Sequence, residues 1–223
     1  MIHSKTFCST LTTFEAPFNL AGVPIGNRMT VITCPNNKVW IHSPVLLTQD
    51  MIDHLNELGE VCWAVCPNLF HYLHAYKFLE HFPDCQLFGV SGIQIKEKRC
   101  SFHSLEESVQ LWVSEIQQYQ IQGIPKIKEV VFFHPNSKTL ILTDLLFNCS
   151  HTSLWAKLLM TLNGAHNKCT TTRVYKSMIQ DKEQFKTSIE HILKWDFERV
   201  ILAHGSIIEK DAKAILTESF SWL

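Results

Sequence analysis

Three short apolar runs place the strongest constraint on the fold of this chain. Each has the length and β-rich composition of a buried strand, and each delivers one side chain that can bind a metal. The runs span residues 61–66, 139–148 and 199–205, and the side chains are His71, Asp144 and His204. Open α/β sheets keep their chemistry where strands end. The repetition therefore predicts a site assembled from three strands.

The order of the remaining elements indicates an α/β fold. The first half is predicted as β-β-α-β-α-β, with strands at 29–34, 38–42, 61–66 and 85–90 and helices at about 48–58 and 70–82. The second half is predicted as strands at 115–122, 129–134, 139–146 and 199–203, with helices at 153–163, from 181, and at 209–220. Strands followed by helices, twice over, favour two sheets packed together with helices outside. Residues 1–27 are interpreted as an N-terminal extension, an arm and a loop, and residues 28–223 as a single domain.

Composition excludes some classes of protein. With 46% hydrophobic residues, a net charge of −1 and a pI near 6.9, the overall composition gives no indication of a general affinity for nucleic acid or an anionic membrane. No apolar run approaches the roughly 18 residues of a membrane span. The eight cysteines include no CxxC pair, which favours reduced thiols and a cytoplasmic protein. The partner is expected to be a small-molecule substrate or another protein.

Two histidines and one aspartate suit Zn²⁺, Mn²⁺ or Fe²⁺ by ligand type. We therefore predict His71, Asp144 and His204 as ligands of one divalent metal, with zinc favoured. A metal with an open position would make hydroxide available for hydrolysis. Asn68, Tyr72 or His74 would then orient the substrate or donate to a developing oxyanion, and Asp144 would share in the catalytic work. The alternative is a protein without metal, in which Asp144 and His204 form a hydrogen bond.

The same residues carry a resemblance to a known superfamily. The segment 143–147, TDLLF, resembles the strand that carries a metal-bridging aspartate in metallo-β-lactamase-fold proteins. The segment 202–205, LAHG, resembles the closing strand with the last histidine ligand, and 66–75, CPNLFHYLHA, falls where the HxHxDH motif is placed. The chain is more similar to a divergent branch with Ser-Pro after the second strand, a Pro-Asn-x-x-His-His turn and EVVFFH before the aspartate strand. The resemblance covers roughly residues 28–208 and implies an αββα sandwich.

Departures from the motif change what the resemblance implies for the site. Aligned with HxHxDH, Pro67 and Leu69 occupy the first two histidine positions, His71 the aspartate position and Tyr72 the last histidine. The middle histidine has no counterpart in residues 118–128. A reduced, mononuclear centre is therefore expected, in a metal-dependent hydrolase-like protein of unassigned substrate. The alternative is a catalytically inactive scaffold of the same fold that acts as a binding or protein-interaction module.

Overall fold

The computed structural model describes residues 3–107, 109–150 and 153–223. The chain divides into two compact units, each built from separate segments of sequence. Unit 1 comprises residues 1–16 and 28–117, and unit 2 comprises residues 17–27 and 118–223. Among the described residues, no helix combines the length and the apolar character needed to cross a bilayer.

Unit 1 is built on a seven-stranded sheet in the order β1-β2-β5-β6-β7-β8-β9. Its strands are β1 (His3–Cys8), β2 (Leu11–Ala16), β5 (Asn27–Cys34), β6 (Lys38–His42), β7 (Glu60–Cys66), β8 (Gln86–Gly89) and β9 (His103–Ser104). Its helices are α1 (Gln49–Leu58), α2 (Ala75–His81), α3 (Ile93–Lys96) and α4 (Val109–Trp112). Strands β6 to β9 run parallel, as the predicted crossover connections require.

Unit 2 contains a four-stranded sheet in the order β10-β11-β12-β13 and the short hairpin of β3 and β4. Its strands are β3 (Asn19–Leu20), β4 (Val23–Pro24), β10 (Gln117–Gln120), β11 (Val130–His134), β12 (Thr139–Ile141) and β13 (Arg199–Ile201). Its helices are α5 (Leu154–Leu162), α6 (Arg173–Ser177), α7 (Lys182–Ile192) and α8 (Ala212–Ser219). Strands β11 and β12 form the predicted hairpin, and β12 pairs in parallel with β13.

Several predicted boundaries are wrong. Residues 3–8 and 11–16 are strands of the seven-stranded sheet, where the sequence favoured an arm and a loop. Helix α2 begins at Ala75 rather than near residue 70. Strand β12 ends at Ile141 and β13 at Ile201, so Asp144 and His204 lie in the segments that follow their strands. The proposed limits of the single domain stay a prediction.

Candidate metal centre

The carboxyl ends of β6 and β7 lie at one edge of the seven-stranded sheet because these strands are parallel. Strand β6 ends at His42, and the next residue, Ser43, donates its N–H to the carbonyl of Val65 over 2.9 Å. Strand β7 ends at Cys66, and the chain then turns through residues 67–74. The fold thus brings Ser43 beside the turn that carries the predicted residues of unit 1.

Asn68 determines the shape of this turn. Its side-chain oxygen accepts from the backbone N–H groups of Phe70 and His71 at 2.9 and 2.8 Å, and the residue is fully buried. An asparagine that binds backbone N–H groups two and three residues ahead stabilises a turn in competition with a helix. This contact explains why α2 begins only at Ala75. Asn68 therefore positions His71, while its predicted part in catalysis stays a prediction.

His71 is half-buried and held by a buried serine. Its Nδ1 lies 2.7 Å from the Oγ of Ser43, a residue with the left-handed φ of +57°. Burial, and then the charge of His71, lower the pKa of His42 to about 3, and the same two causes lower the pKa of His74. His42 is therefore neutral at neutral pH, and the lowered pKa of His74 favours its neutral form. Sequence reasoning missed Ser43 as a partner of His71.

Tyr72 lies in the same turn and is also half-buried. The Lys96 ammonium group donates to the carbonyl of Leu69 over 2.9 Å and lies 6.0 Å from the centre of the Tyr72 ring. The same ammonium lies 5.0 Å from the ring of Phe70. Lys96 on α3 therefore holds the middle of the turn and adds a positive charge beside the predicted substrate-orienting side chain.

In unit 2, the structure brings Asp144 and His204 together. Strands β12 and β13 are parallel with Ile141 opposite Ile201, so the residues that follow them lie at the same edge of the four-stranded sheet. The Nε2 of His204 is 3.4 Å from Oδ1 of Asp144, with the side chains 4% and 15% exposed. Two of the three predicted ligands thus meet within one unit.

The segment 17–27 fixes the ring of His204. Its Nδ1 lies 2.6 Å from the carbonyl oxygen of Gly26, which can only accept, so Nδ1 carries a proton and donates it. The ring also stacks on Phe147 and Phe18, with centroids 4.9 and 6.4 Å away. In the neutral ring the lone pair is therefore on Nε2, the nitrogen that faces Asp144.

This arrangement fits a cation. A metal-binding histidine commonly donates its second N–H to a backbone carbonyl, which sets the tautomer and the ring orientation. The Nε2 lone pair of His204 and the carboxylate of Asp144 are both electron donors, and they face one another. Imidazole and carboxylate are donor types that Zn²⁺, Mn²⁺ and Fe²⁺ accept. Unit 2 therefore places two donor side chains face to face, and the Gly26 carbonyl sets the orientation of the imidazole.

Gly205 allows this geometry. It has φ of +84°, and a Cβ added there would lie 2.2 Å from the carbonyl oxygen of Asn148. Asn148 and Gly205 form a parallel bridge, and the N–H of Ser206 donates to the Asn148 carbonyl over 2.8 Å. A residue without a side chain is required directly after His204, which the sequence LAHG contains.

Glu129 is a further buried carboxylate near Asp144 that the sequence reasoning did not single out. Its Oε1 accepts from the N–H of Thr143 at 2.8 Å, and its Oε2 accepts from the hydroxyl of Tyr175 at 3.3 Å. Burial, and then the charge of Asp144, raise the pKa of Glu129 to about 7. The signal in the sequence is a single acid directly before the apolar run of β11. Glu129 fixes the backbone next to Asp144.

Solved structures share this fold. The metallo-β-lactamase from Pontibacter korlensis has 11% identity and a TM-score of 0.66, with 99% of this chain and 98% of that chain covered. FIM-1 from Pseudomonas aeruginosa, a metallo-β-lactamase in a mono-zinc form, has 8% identity and a TM-score of 0.65, with 97% and 93% covered. Rubredoxin oxygen:oxidoreductase from Desulfovibrio gigas has 12% identity and a TM-score of 0.68, with 99% and 61% covered.

Identities this low show the fold alone. They confirm the predicted α/β class and the αββα sandwich of the metallo-β-lactamase type. The divergent turn in place of HxHxDH stays a prediction. No curated protein matches the sequence. The model of a family described as a domain of unknown function, DUF4336, matches residues 9–163, more than half of the chain, and the chain therefore belongs to the DUF4336 family.

Proposed function

We propose that this protein is a metal-dependent hydrolase with a mononuclear centre held by His71, Asp144 and His204. The observation that carries the proposal is the pair in unit 2, where Gly26 directs the Nε2 lone pair of His204 toward the carboxylate of Asp144. The mono-zinc form of FIM-1, a protein of the same fold, supports zinc as the first metal to test. Manganese and iron suit the same donors.

Each residue has a defined part in this proposal. His204 and Asp144 bind the metal, and Asn68 holds the turn that presents His71 as the third ligand. When bound, the metal would supply Lewis acidity toward water and the electrophilic group of the substrate. Tyr72 and the Lys96 ammonium beside it would orient a substrate oxygen that gains negative charge. The substrate class is any ester, thioester, lactam or phosphodiester that the site admits.

Elemental analysis tests the ligand set. Protein purified without added metal or chelator should contain one zinc, manganese or iron per chain. Asp144→Asn and His204→Gln should each bind the metal at least about tenfold more weakly and retain clearly less of it, because each removes one of three ligands. His103→Gln, which changes an exposed histidine of β9, should retain the metal.

Two outcomes would contradict the proposal. Undiminished metal in Asp144→Asn would remove Asp144 from the ligand set. Wild-type protein that stays metal-free after zinc, manganese and iron are offered would favour the inactive scaffold, with Asp144 and His204 as an ion pair. If metal is bound, a screen of esters, thioesters, lactams and phosphodiesters, with Asp144→Asn as the blank, tests hydrolysis itself.

A further inference from the structure

Helix α5 of unit 2 exposes an apolar face. Leu154, Trp155, Leu158 and Leu162 are 84, 55, 53 and 60% exposed, and we call these four residues the α5 surface. At about 100° per residue they occupy an arc of about 100° on the helix. The opposite side packs inward through Ala156 and Met160, which are buried in the cluster around Phe147. The helix is therefore apolar on both sides, and one side faces solvent.

Neighbouring segments extend the exposed apolar area. The indole N–H of Trp155 donates to the carbonyl of Ala21 over 3.3 Å, next to Leu20, which is 56% exposed. At the other end of the helix, the N–H of Val174 donates to the side chain of Asn163, and Val174 is 55% exposed. Exposed large apolar residues that adjoin in this way indicate an interaction surface more often than scattered ones do.

The two sequence segments that carry this area contain charged side chains of one sign only. Residues 145–180 contain four basic side chains and no aspartate or glutamate, and residues 17–27 contain no charged side chain. The basic residues are Lys157, Lys168, Arg173 and Lys176. Lys168 and Arg173 are exposed, and Arg173 donates to the carbonyl of Leu162 over 3.0 Å, at the end of the α5 surface. This local excess of positive charge is not apparent from the net charge of the whole chain, which is −1.

We propose that the α5 surface docks unit 2 on an anionic lipid bilayer. Leucine and tryptophan on a helix that lies in the membrane plane enter the boundary between headgroups and acyl chains, while lysine and arginine at the rim contact anionic headgroups. A second copy of the chain fits less well. If two copies met through their α5 surfaces, the basic residues of one copy would face the same basic residues of the other. Residues 17–27 and 145–180 contain no aspartate or glutamate that could pair with them.

Vesicle sedimentation measures this docking. The purified full chain should bind vesicles of phosphatidylcholine mixed with phosphatidylglycerol, and bind phosphatidylcholine alone more weakly. High salt should weaken binding to the anionic vesicles because it screens the headgroup charge. The α5 surface should also place Trp155 within reach of brominated acyl chains. Since the chain has six tryptophans, the quenching assigned to Trp155 is the part lost in Trp155→Phe.

Matched variants separate the apolar and the charged contributions. Leu154→Ser with Leu158→Ser should lower the partition coefficient about tenfold per leucine. Ile95→Ser is the control for an exposed apolar residue outside the α5 surface. Ile95 lies in unit 1 and is 78% exposed, and its substitution should change the partition coefficient little. Lys157→Glu with Lys168→Glu should lower binding to anionic vesicles at least about fivefold per lysine. Lys126→Glu with Lys186→Glu, the same charge change at exposed positions outside the surface, is the control.

Three results would overturn the proposal. The first is a wild-type chain that does not sediment with anionic vesicles. The second is binding that the leucine and lysine pairs reduce no more than their controls. The third is a dimer, seen by light scattering, that dissociates in Leu154→Ser with Leu158→Ser, since the surface would then belong to a second copy. Circular dichroism of each variant checks that the substitutions, which include the half-buried Lys157, leave the fold intact.

Discussion

At the scale of single residues, the second nitrogen of a histidine decides its chemistry. His204 donates from Nδ1 to Gly26, and this one contact assigns the Nε2 lone pair to the side that faces Asp144. His71 is fixed through Ser43 and Asn68, which hold its ring and its backbone respectively. Since both predicted histidine ligands are held by neighbours outside the predicted ligand set, these supporting residues decide whether the histidines are in position.

Glu129 predicts a pH dependence of stability. Its pKa is raised in the folded chain from the usual 4.5 to about 7 by burial and by Asp144. Between these values the native state binds more protons than the unfolded state, so this group lowers the free energy of unfolding as pH rises. In Glu129→Gln, which retains the acceptor for Thr143, this loss should disappear, a change on the order of 2 kcal/mol between pH about 4.5 and 7.5.

Urea unfolding of both proteins at several pH values, after chelation of metal, measures the effect. The loss of stability with rising pH should be smaller in Glu129→Gln than in the wild type. Parallel curves for the two proteins would show that Glu129 ionises in the folded chain as it does in the unfolded one.

At the scale of elements, parallel strands and the short segments after them place the candidate ligands. The sequence predicted β6, β7, β11, β12 and β13 because their apolar runs are short and rich in β-branched residues. It predicted that β12 would continue through Asp144 and that β13 would end at residue 203, whereas the two strands end at Ile141 and Ile201. Periodicity cannot distinguish the end of a strand from an apolar turn packed beneath it, and Leu142 and Leu202 are both fully buried.

The surroundings of Gly205 predict that its replacement destabilises the chain more than the same replacement at Gly22. Gly205→Ala should destabilise the chain by at least about 2–3 kcal/mol, because the added Cβ meets the backbone of Asn148 in addition to the strain of a positive φ. Gly22 also has a positive φ, of +79°, but its nearest neighbour is the Trp155 side chain at 3.4 Å. Gly22→Ala should therefore cost only about 1 kcal/mol.

Thermal or chemical unfolding of both variants gives the comparison, and metal content gives a second readout. Gly205→Ala should also weaken metal binding, since it displaces the segment that carries His204. Equal destabilisation in the two variants would mean that the approach to Asn148 relaxes and only the backbone strain matters.

At the scale of the whole molecule, the early segment 17–27 belongs to unit 2 although it precedes most of unit 1. Val23 and Ile25 pack with Phe147, Cys149, Ala156, Met160 and Ala165, and Gly26 accepts from His204. Residues 23 and 25 therefore complete a hydrophobic cluster of unit 2 whose other members lie more than 100 positions later in the sequence. Local sequence patterns contain no sign of such a contact.

Ile25 predicts how much this segment contributes. Ile25→Ala should lower the free energy of unfolding by about 2–5 kcal/mol, as truncation of a buried isoleucine does. It should also weaken metal binding, because it loosens the segment that orients His204. Leu20→Ala, in the same segment but 56% exposed, should change stability by less than about 0.5 kcal/mol.

Denaturant titration with the metal content measured in parallel checks both effects. A loss of stability in Ile25→Ala without any change in metal affinity would show that the Gly26 carbonyl keeps its place without the packing of its neighbour. Equal losses in Ile25→Ala and Leu20→Ala would contradict the packing assigned to the segment.

The sequence by itself determined most of the strands, the fold class and the candidate metal-binding side chains. These follow from local apolar runs and from the chemistry of histidine and aspartate. Only the tertiary structure decided the partners, namely Gly26 for His204, Ser43 for His71 and Glu129 beside Asp144. It also showed that residues 3–8 and 11–16 form strands, where the sequence favours an arm and a loop. The physical reason is that hydrogen bonds and strand pairing between distant segments depend on where the fold places them.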